Sequence, residues 1–380
     1  MPKDLDKKNS VDFILLGVIL VLVVWGILTV STTSFPLSLQ KFGHPWYYFW
    51  HQFSMLIGGI ILGFIFFKLK SETLRRLSPY LFFTNLASLL LVFVPKLGVG
   101  LQGAHRWLDF GYFLLQPSEF LKVSFALYMA AWLAGRVEGR RAKRQSGGEG
   151  WKMLLPFLLT IGVLFAILIL QPDMSTLIIV AIIGVAMYFL AGTPLWHSLL
   201  IAGGGVSAIL LAIRLAPYRM SRFTTFLNPE ADPMGLGYQL KQSVIGIGSG
   251  KWWGIGSGLA FGLSQQKFGF LPHPTTDSIF AIIGEELGFV GAGLLIILFA
   301  LFAWRGFKVA NRLEDGFSRI LATGLVFWIT FQALFNIGGI IGVMPLGGVP
   351  LPFFSYGGSH IITEMIGMGI LLNLSRKVNA

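Results

Sequence analysis

The chain has 380 residues, of which 54% are hydrophobic and only 12% are charged. That charged share is about half that of an ordinary soluble domain, and the mean hydropathy is +0.73. So few polar residues cannot cover a water-facing surface, which excludes a soluble globular enzyme, a disordered protein and a fibrous repeat. The net charge of +12 would suggest nucleic acid in a soluble protein. In a membrane protein it is first explained by basic cytoplasmic loops, so no nucleic-acid partner is predicted.

Hydrophobic segments recur along the whole chain, each about long enough to cross a hydrocarbon layer as a helix. The ten segments are 13–34, 46–67, 80–95, 118–134, 153–170, 174–192, 199–216, 278–303, 320–343 and 360–374. The sequence therefore predicts an all-α polytopic membrane protein with about ten transmembrane helices, forming a single domain over 1–380. One large loop, 217–277, joins the seventh helix to the eighth.

The distribution of Lys and Arg predicts the orientation. With the N-terminus in the cytoplasm, the inside pieces carry nineteen basic residues and the short outside loops carry three. This asymmetry indicates an N-in, C-in topology, because basic loops are retained on the cytoplasmic side. The loop 217–277 is then extracytoplasmic, and the basic inside loops suit contact with anionic membrane lipids.

The long loop carries a run of glycines around Lys251-Trp252-Trp253. These are Gly246, Gly248, Gly250, Gly254, Gly256 and Gly258. The spacing fails the Walker pattern for nucleotide phosphates. The favoured interpretation is a re-entrant or interfacial segment with the tryptophans at headgroup depth. The alternative is glycine-rich backbone that approaches a lipid pyrophosphate.

Ionisable residues inside predicted helices are costly and therefore informative. Glu119 and Lys122 are three residues apart, so they share a helix face as a structural ion pair or as a functional one. Asp173 follows a proline at the break between two helices, where it is placed to cap the second. Three deeper acids are Glu285, Glu286 and Glu364. The first two are adjacent and cannot share a face, so at least one of them needs its own partner or is neutral.

Asp277 is the most informative carboxylate, because it follows a Pro-rich turn and opens the eighth hydrophobic segment. Two interpretations are open. It is either a helix N-cap, or a carboxylate held at the membrane–water boundary to accept a proton or bind a cation. The chain has no cysteine, and its histidines show no zinc-ligand spacing.

Several external motifs resemble those of the SEDS family (shape, elongation, division and sporulation; RodA, FtsW and SpoVE), and the resemblance covers nearly the whole chain. The motifs are Gly103-Ala104-His105-Arg106-Trp107, Gln116-Pro117-Ser118-Glu119-Phe120-Leu121-Lys122, Gln171-Pro172-Asp173, Gly237-Tyr238-Gln239, Gln242-Ser243, Ile247-Gly248-Ser249-Gly250, Asp277 through Gly284-Glu285-Glu286-Leu287-Gly288, and Pro350-Leu351-Pro352-Phe353-Phe354-Ser355-Tyr356-Gly357-Gly358-Ser359. Two places depart from the family pattern. Thr275 and Ser278 stand where the family usually has His and Phe, with His273 two residues earlier. His360 stands where the family usually has a small residue.

The resemblance implies an inverting peptidoglycan glycosyltransferase that polymerises lipid II at the outer face of the bacterial plasma membrane, for cell elongation or division. It also implies a class B penicillin-binding protein as partner. Asp277 falls on the family's essential loop aspartate and is the predicted catalytic base. The predicted substrate-binding residues are Arg106, Glu119, Lys122, Asp173, Lys251, Ser355 and Tyr356, with Arg106 and Lys122 as candidates for the pyrophosphate.

Two questions are left open by the residues. Asp277 is either a base or a ligand of a divalent cation, Mg or Mn. The rival functions are a lipid II flippase without bond chemistry, in which buried ionisable residues line a path for the headgroup, and a scaffold that only recruits cell-wall enzymes.

Overall fold

The computed structural model describes residues 10–101, 104–111, 113–143, 150–214, 217–256 and 264–378. A helix occupies most of each of the ten hydrophobic segments predicted from the sequence. They are α1 (Phe13–Phe42), α2 (Tyr47–Lys68), α3 (Ser71–Leu91), α4 (Pro117–Lys143), α5 (Gly150–Leu170), α6 (Met174–Leu190), α7 (Leu195–Arg214), α10 (Ile279–Arg312), α11 (Gly316–Ile340) and α12 (Gly358–Ser375). Two further helices, α8 (Pro217–Leu227) and α9 (Leu236–Ser249), lie within the long loop.

Several helices have the length and apolarity that a membrane span requires. Within the described residues five meet both criteria: Phe13–Phe42, Tyr47–Lys68, Trp151–Leu170, Ile279–Arg312 and Gly316–Ile340. A shorter apolar helix covers Met174–Leu190. The outer helices expose large apolar side chains, such as Ile61 and Phe64 of α2, each 57% accessible. This suits a surface solvated by lipid. The count of ten spans and the N-in, C-in orientation stay predictions.

A small antiparallel sheet corrects the all-α prediction. It consists of β1 (Gly98–Leu101), β2 (Ala104–Asp109) and β3 (Leu114–Leu115), in that order. Gly98 pairs with Leu108, and Leu108 pairs with Leu115. The strands do not show the strict alternation of apolar and polar residues by which a strand is recognised in a sequence. Their pairing rigidifies the segment that presents Arg106.

The interior is centred on α4 and α11. Nearly every residue of α4 from Pro117 to Ala130 is buried, and α11 is the most buried of the five candidate spans. Helices α3, α6 and α12 pack around this pair. Because α4 and α11 have little contact with the surroundings, their polar residues must find partners inside the protein.

A buried ionic contact joins three helices at the end of the molecule opposite the long loop 217–277. Asp12, the N-cap of α1, accepts from Leu15 N at 3.0 Å and from Arg305 Nε at 2.9 Å. Arg305 Nη2 lies 2.8 Å from the same carboxylate. The Asp12 backbone N–H donates to Ser375 Oγ at 3.1 Å. The contact thereby links the start of α1 to the far ends of α10 and α12.

The glycine run of the long loop packs against α10 rather than forming an open cradle. A Cβ on Gly250 would lie 2.0 Å from the Gly284 carbonyl oxygen. A Cβ on Gly254, whose φ is +82°, would lie 2.1 Å from the Glu286 carbonyl oxygen. Trp252 and Trp253 are 66% and 79% accessible. This arrangement favours the re-entrant or interfacial interpretation. Gly258 lies outside the described residues.

Candidate active site

Asp277 lies at the end of a tight turn that begins at His273. The N–H groups of Thr276 and Ser278 both donate to the His273 carbonyl at 3.2 Å. Ser278 Oγ donates to Pro272 O at 3.0 Å and accepts from Gln239 Nε2 of α9 at 2.9 Å. Helix α10 begins at Ile279 with Ser278 in the N-cap position. The Asp277 carboxylate is therefore not the helix cap, which removes the structural alternative that the sequence left open.

Side chains from three parts of the chain act electrostatically on the Asp277 carboxylate. Its pKa is raised by burial, while the charges of His273, Arg222 and Arg106 oppose that rise. An ionised Asp whose pKa is raised is a better proton acceptor than an ordinary one. The environment therefore suits a general base that faces an anionic substrate.

A glycine with a left-handed backbone conformation lies beside the carboxylate. Gly348 has a φ of +63°, and a Cβ there would lie 3.4 Å from Asp277 Oδ2 and 4.0 Å from Arg222 Nη2. Arg222 Nη1 also donates to the Gly347 carbonyl at 3.2 Å. A shallow pocket opens at this point, lined by Asp277, Phe335, Asn336, Gly347, Gly348 and Val349. Asp277 is thus one of the side chains that line the pocket.

Arg106 projects from β2 to the break between α5 and α6. Its Nε donates to the Gln171 carbonyl at 3.0 Å, and its Nη2 donates to that of Pro172. Gln171 is tied in turn to α3, because its Nε2 donates to Leu89 O at 2.7 Å. These contacts hold a partly buried guanidinium close enough to influence Asp277.

Asp173 is a buried helix cap, as predicted. It accepts from Thr176 N at 3.2 Å and Thr176 Oγ1 at 3.0 Å, at the start of α6. Ser118 Oγ of α4 donates to the same carboxylate at 2.9 Å. Ser175 Oγ donates to Gly347 O. The start of α6 is therefore fixed against both α4 and the loop that contains Gly348.

The predicted pair of Glu119 and Lys122 is present and fully enclosed. Lys122 Nζ lies 2.8 Å from Glu119 Oε2, and the two side chains are 1% and 5% accessible. Lys122 also donates to Gln332 Oε1 of α11 at 3.1 Å. Both residues contact other protein groups, so their role in binding substrate stays a prediction.

Ser355 and Tyr356 hold the C-terminal signature against the Asp277 turn. Ser355 Oγ donates to Thr276 O at 2.6 Å, and Tyr356 N donates to Thr275 O at 2.8 Å. The Tyr356 hydroxyl lies 2.8 Å from His51 Nδ1. Burial raises the pKa of Tyr356, so its hydroxyl stays protonated. Both contacts are within the protein, and contact of these residues with substrate stays a prediction.

The structure does not bring Lys251 to Asp277. Its carbonyl accepts from Phe289 N at 2.8 Å, which places it beside the first third of α10. Phe289 lies eleven residues after Ser278, or about 16 Å at the rise of an α-helix. Lys251 is exposed at that position.

The adjacent acids Glu285 and Glu286 each have a partner of their own. Glu285 accepts from Ser264 Oγ at 2.5 Å and from Gln265 N at 3.1 Å. Lys267 Nζ lies 2.8 Å from Glu286. This confirms that the two carboxylates do not share one partner.

Two residues of the site were not singled out from the sequence. Arg222 is one of several basic residues in the long loop, and no motif distinguishes it from the others. Asn336 donates from Nδ2 to Asp277 O at 2.8 Å and to Val349 O at 2.7 Å. An amide inside the apolar helix α11 is a costly residue, which is a signal that could have identified it.

The fold and the site together define a class of protein. It is a predominantly helical membrane protein with a carboxylate, influenced by two arginines, in the turn that precedes a long helix. The rigid segments around this carboxylate come from parts of the chain far apart in sequence.

Comparison with known proteins agrees with that class. The family model described as "Cell cycle protein" (FTSW_RODA_SPOVE) matches residues 13–380. Stage V sporulation protein E of Bacillus subtilis is 34% identical over 97% of this chain and 98% of its own length. A probable peptidoglycan glycosyltransferase FtsW of Coxiella burnetii is 37% identical over 93% of each chain. The chain belongs to the FtsW/RodA/SpoVE family.

Solved structures share the fold. A chain from a peptidoglycan synthase complex, described as coordinating polymerization and crosslinking, matches with a TM-score of 0.76 and 27% identity. The match covers 97% of this chain and 98% of that one. The rod shape determining protein RodA of Thermus thermophilus matches with a TM-score of 0.70 and 25% identity, over 97% of each chain.

Proposed function

We propose that this protein is a peptidoglycan glycosyltransferase that polymerises lipid II at the outer face of the bacterial plasma membrane, in cell elongation or division. The observation that carries the proposal is Asp277, a carboxylate beside an open pocket and within the field of Arg106, Arg222 and His273. Relatives named as probable peptidoglycan glycosyltransferases support it over the full length of the chain.

The proposed reaction is an inverting displacement at the anomeric carbon of the growing lipid-linked strand. The C4 hydroxyl of the incoming lipid II sugar attacks that carbon, and Asp277 takes the hydroxyl proton. The new C–O bond forms as the bond from the anomeric carbon to the pyrophosphate oxygen breaks. The bonding pair leaves with undecaprenyl pyrophosphate. A hydroxyl is a poor nucleophile at neutral pH, so the base is needed.

The leaving group needs positive charge more than a proton. Arg106 and Arg222 are held at fixed positions near Asp277, where guanidinium groups can pair with phosphate oxygens. Lys122 is enclosed and would meet a pyrophosphate only if α4 and α11 separated around it. In the closed arrangement it balances the charge of Glu119.

The other predicted binding residues take two kinds of role in the proposal. Asp173, Ser355 and Tyr356 hold the segments that surround the Asp277 turn. Lys251, exposed and far from the reacting atoms, contacts the lipid-linked substrate or phospholipid headgroups.

The surroundings of Asp277 fit a base better than a resident metal ligand. Within the described residues, no group of three or more His, Cys, Asp or Glu side chains is placed to hold a metal ion. The groups near Asp277 are cationic, and Mg²⁺ and Mn²⁺ require clustered oxygen ligands. A divalent ion would enter this site with the pyrophosphate oxygens.

The proposed partner is a class B penicillin-binding protein that crosslinks the new strand, and the proposed location is the plasma membrane with the site outside the cytoplasm. The match to a chain of a complex described as coordinating polymerization and crosslinking supports the partner. The five candidate spans support the location.

The test is polymerisation of lipid II by the purified chain in detergent, with and without its transpeptidase, followed by electrophoresis of the glycan. We expect polymer that grows with time. A flippase or a scaffold would yield none under either condition, and that result would overturn the proposal.

The flippase alternative needs buried acids that are available to line a path for the headgroup. Three of these acids have partners inside the protein: Lys122 for Glu119, Ser264 for Glu285 and His360 for Glu364.

The pH dependence of turnover provides a further prediction. Asp277 must be deprotonated to act as a base, so turnover is lost as pH falls through its pKa, which is raised. Replacing Arg222 with Gln removes a charge that opposes this rise, so the acidic limb of the kcat profile should move to higher pH. Lys241→Gln, an exposed change on α9, is the control and should leave the limb in place. If the acidic limb of the kcat profile stays in place or moves to lower pH in Arg222→Gln, the assignment of Asp277 as the base is contradicted.

A further inference from the structure

His360 and Glu364 form a buried ionic network with the Glu119–Lys122 pair. His360 Nδ1 lies 3.1 Å from Glu119 Oε2, and His360 Nε2 lies 3.0 Å from Glu364 Oε1. The two side chains are 4% and 0% accessible. His360 is thus placed between two carboxylates, and Lys122 closes the network on the α4 side.

An imidazolium at His360 brings the charges of this network to zero. Glu119 and Glu364 contribute two negative charges, and Lys122 contributes one positive charge. The imidazolium lies within 3.1 Å of an oxygen of each carboxylate and attracts both. Buried charge without a partner is strongly unfavourable, so each member depends on the others.

The network is attached to the C-terminal signature at two points. Glu364 Oε2 accepts from Phe353 N at 2.9 Å. Gln332, which accepts from Lys122, donates from Nε2 to Pro350 O at 2.9 Å. Phe353 is 2% accessible and has a φ of +66°, a conformation that a residue with a side chain adopts only when its surroundings hold it. The bond to Glu364 is a contact that holds it.

The same segment reaches Asp277 directly. Ser355 donates to Thr276 O, and Tyr356 donates to Thr275 O. Asn336, one helical turn from Gln332 on α11, binds the carbonyls of both Asp277 and Val349. Residues 349–356 are therefore a short, buried bridge between the ionic network and the turn that carries the base.

We propose that Glu364, held by His360, is a positioning residue that fixes Asp277 through residues 349–356. Neither side chain is placed to touch substrate, and the sequence singled out His360 only as a departure from the family pattern. The inference rests on the proposed role of Asp277 as base. Its physical basis is that a misplacement of about 1 Å in a reacting group can cost about a hundredfold in rate.

The test compares two substitutions at one position. Glu364→Gln keeps an oxygen that can accept from Phe353 N, whereas Glu364→Leu removes it. We expect Glu364→Leu to lower kcat for lipid II polymerisation by about 10- to 100-fold with KM little changed. Glu364→Gln should keep most of the activity, because the imidazole of His360 can release its proton and leave Glu119 and Lys122 balanced. Hydrogen–deuterium exchange of the backbone should rise in residues 273–278 and 350–357 in Glu364→Leu alone.

A second pair tests the charge balance. His360→Gln leaves two carboxylates against one lysine and should lower kcat in the same way. The double variant His360→Gln/Glu364→Gln restores neutrality and the acceptor, so it should recover most of the lost kcat. If Glu364→Leu does not fold, recovery in this pair supports the proposal and lack of recovery overturns it.

A matched control separates positioning from general loss of stability. Asp12→Asn weakens a buried ionic contact at the opposite end of the molecule. It should lower the melting temperature without changing kcat or exchange in residues 273–278. Equal kcat and equal exchange in Glu364→Leu and Glu364→Gln would overturn the proposal. The exchange measurement does not depend on catalysis, so it remains informative even if the wild-type chain makes no polymer and the proposed function fails.

Discussion

Asp277→Asn should abolish glycan polymerisation. The amide keeps the size of the side chain but cannot accept a proton from the C4 hydroxyl, so the loss should be at least the 10²- to 10⁴-fold that general-base catalysis contributes. Binding of lipid II should survive, because Arg106 and Arg222 are untouched and are held by backbone carbonyls of other segments. Polymer formation on gels and binding of labelled lipid II are the two measurements.

The control for Asp277 is an acid of the same loop that faces solvent. Glu230 is exposed in the short 3₁₀ turn Pro229–Ala231 of that loop. The Glu230→Gln variant should therefore polymerise lipid II at the wild-type rate. Turnover by Asp277→Asn at the wild-type rate would end the assignment of Asp277 as base. If Asp277→Asn lost both lipid II binding and turnover, the result would indicate a structural defect instead.

Lys122→Met should produce the largest loss of stability among single substitutions at the site. Methionine fills a similar volume, but it leaves Glu119 with one fewer positive partner in a region that is 5% accessible. Breaking a buried ion pair by removing one member costs about 3–5 kcal/mol. The free energy of unfolding in detergent micelles, followed by a thermal or denaturant scan, is the measurement.

Two companion variants sharpen this result. Lys122→Met/Glu119→Gln removes both charges of the pair and should recover much of the lost stability, because no uncompensated carboxylate remains. Arg76→Met breaks an exposed pair with Glu72, whose side chains are 78% and 65% accessible, and should change stability by less than about 1 kcal/mol. If Lys122→Met lowered the free energy of unfolding by no more than Arg76→Met does, the buried pair of Lys122 and Glu119 would not contribute the stability expected of it.

The helices of this protein were predictable because their signal is local. Segment 13–34 and segment 278–303 are apolar over a whole membrane thickness, and lipid leaves a helix as the means of satisfying the backbone there. The spacing of Glu119 and Lys122 likewise predicted a contact that the structure contains, since residues three apart on a helix are neighbours. Asp173 was recognised as a cap from its position after a proline.

Other features depended on contacts between distant parts of the chain. The strands around Arg106 are stabilised by pairing with one another and carry no readable period. Arg222 is one basic residue among several in the loop. It comes near Asp277 only in the folded chain, where it donates to the Gly347 carbonyl and both side chains lie beside Gly348. The separation of Lys251 from Asp277 follows from the packing of α9 along α10, which the loop sequence did not indicate.

By itself, the sequence determined that this chain is a helical membrane protein, which of its apolar segments are helices, and which carboxylate is the candidate base. These properties follow from composition, apolar length and motif, which are local along the chain. Only the tertiary structure decided which cations surround Asp277, that its side chain is not a helix cap, and that His360 joins Glu119 to Glu364. Such properties depend on groups up to about 245 residues apart in sequence, for example Glu119 and Glu364. Proximity between groups so far apart is created by packing and is not encoded in any single segment.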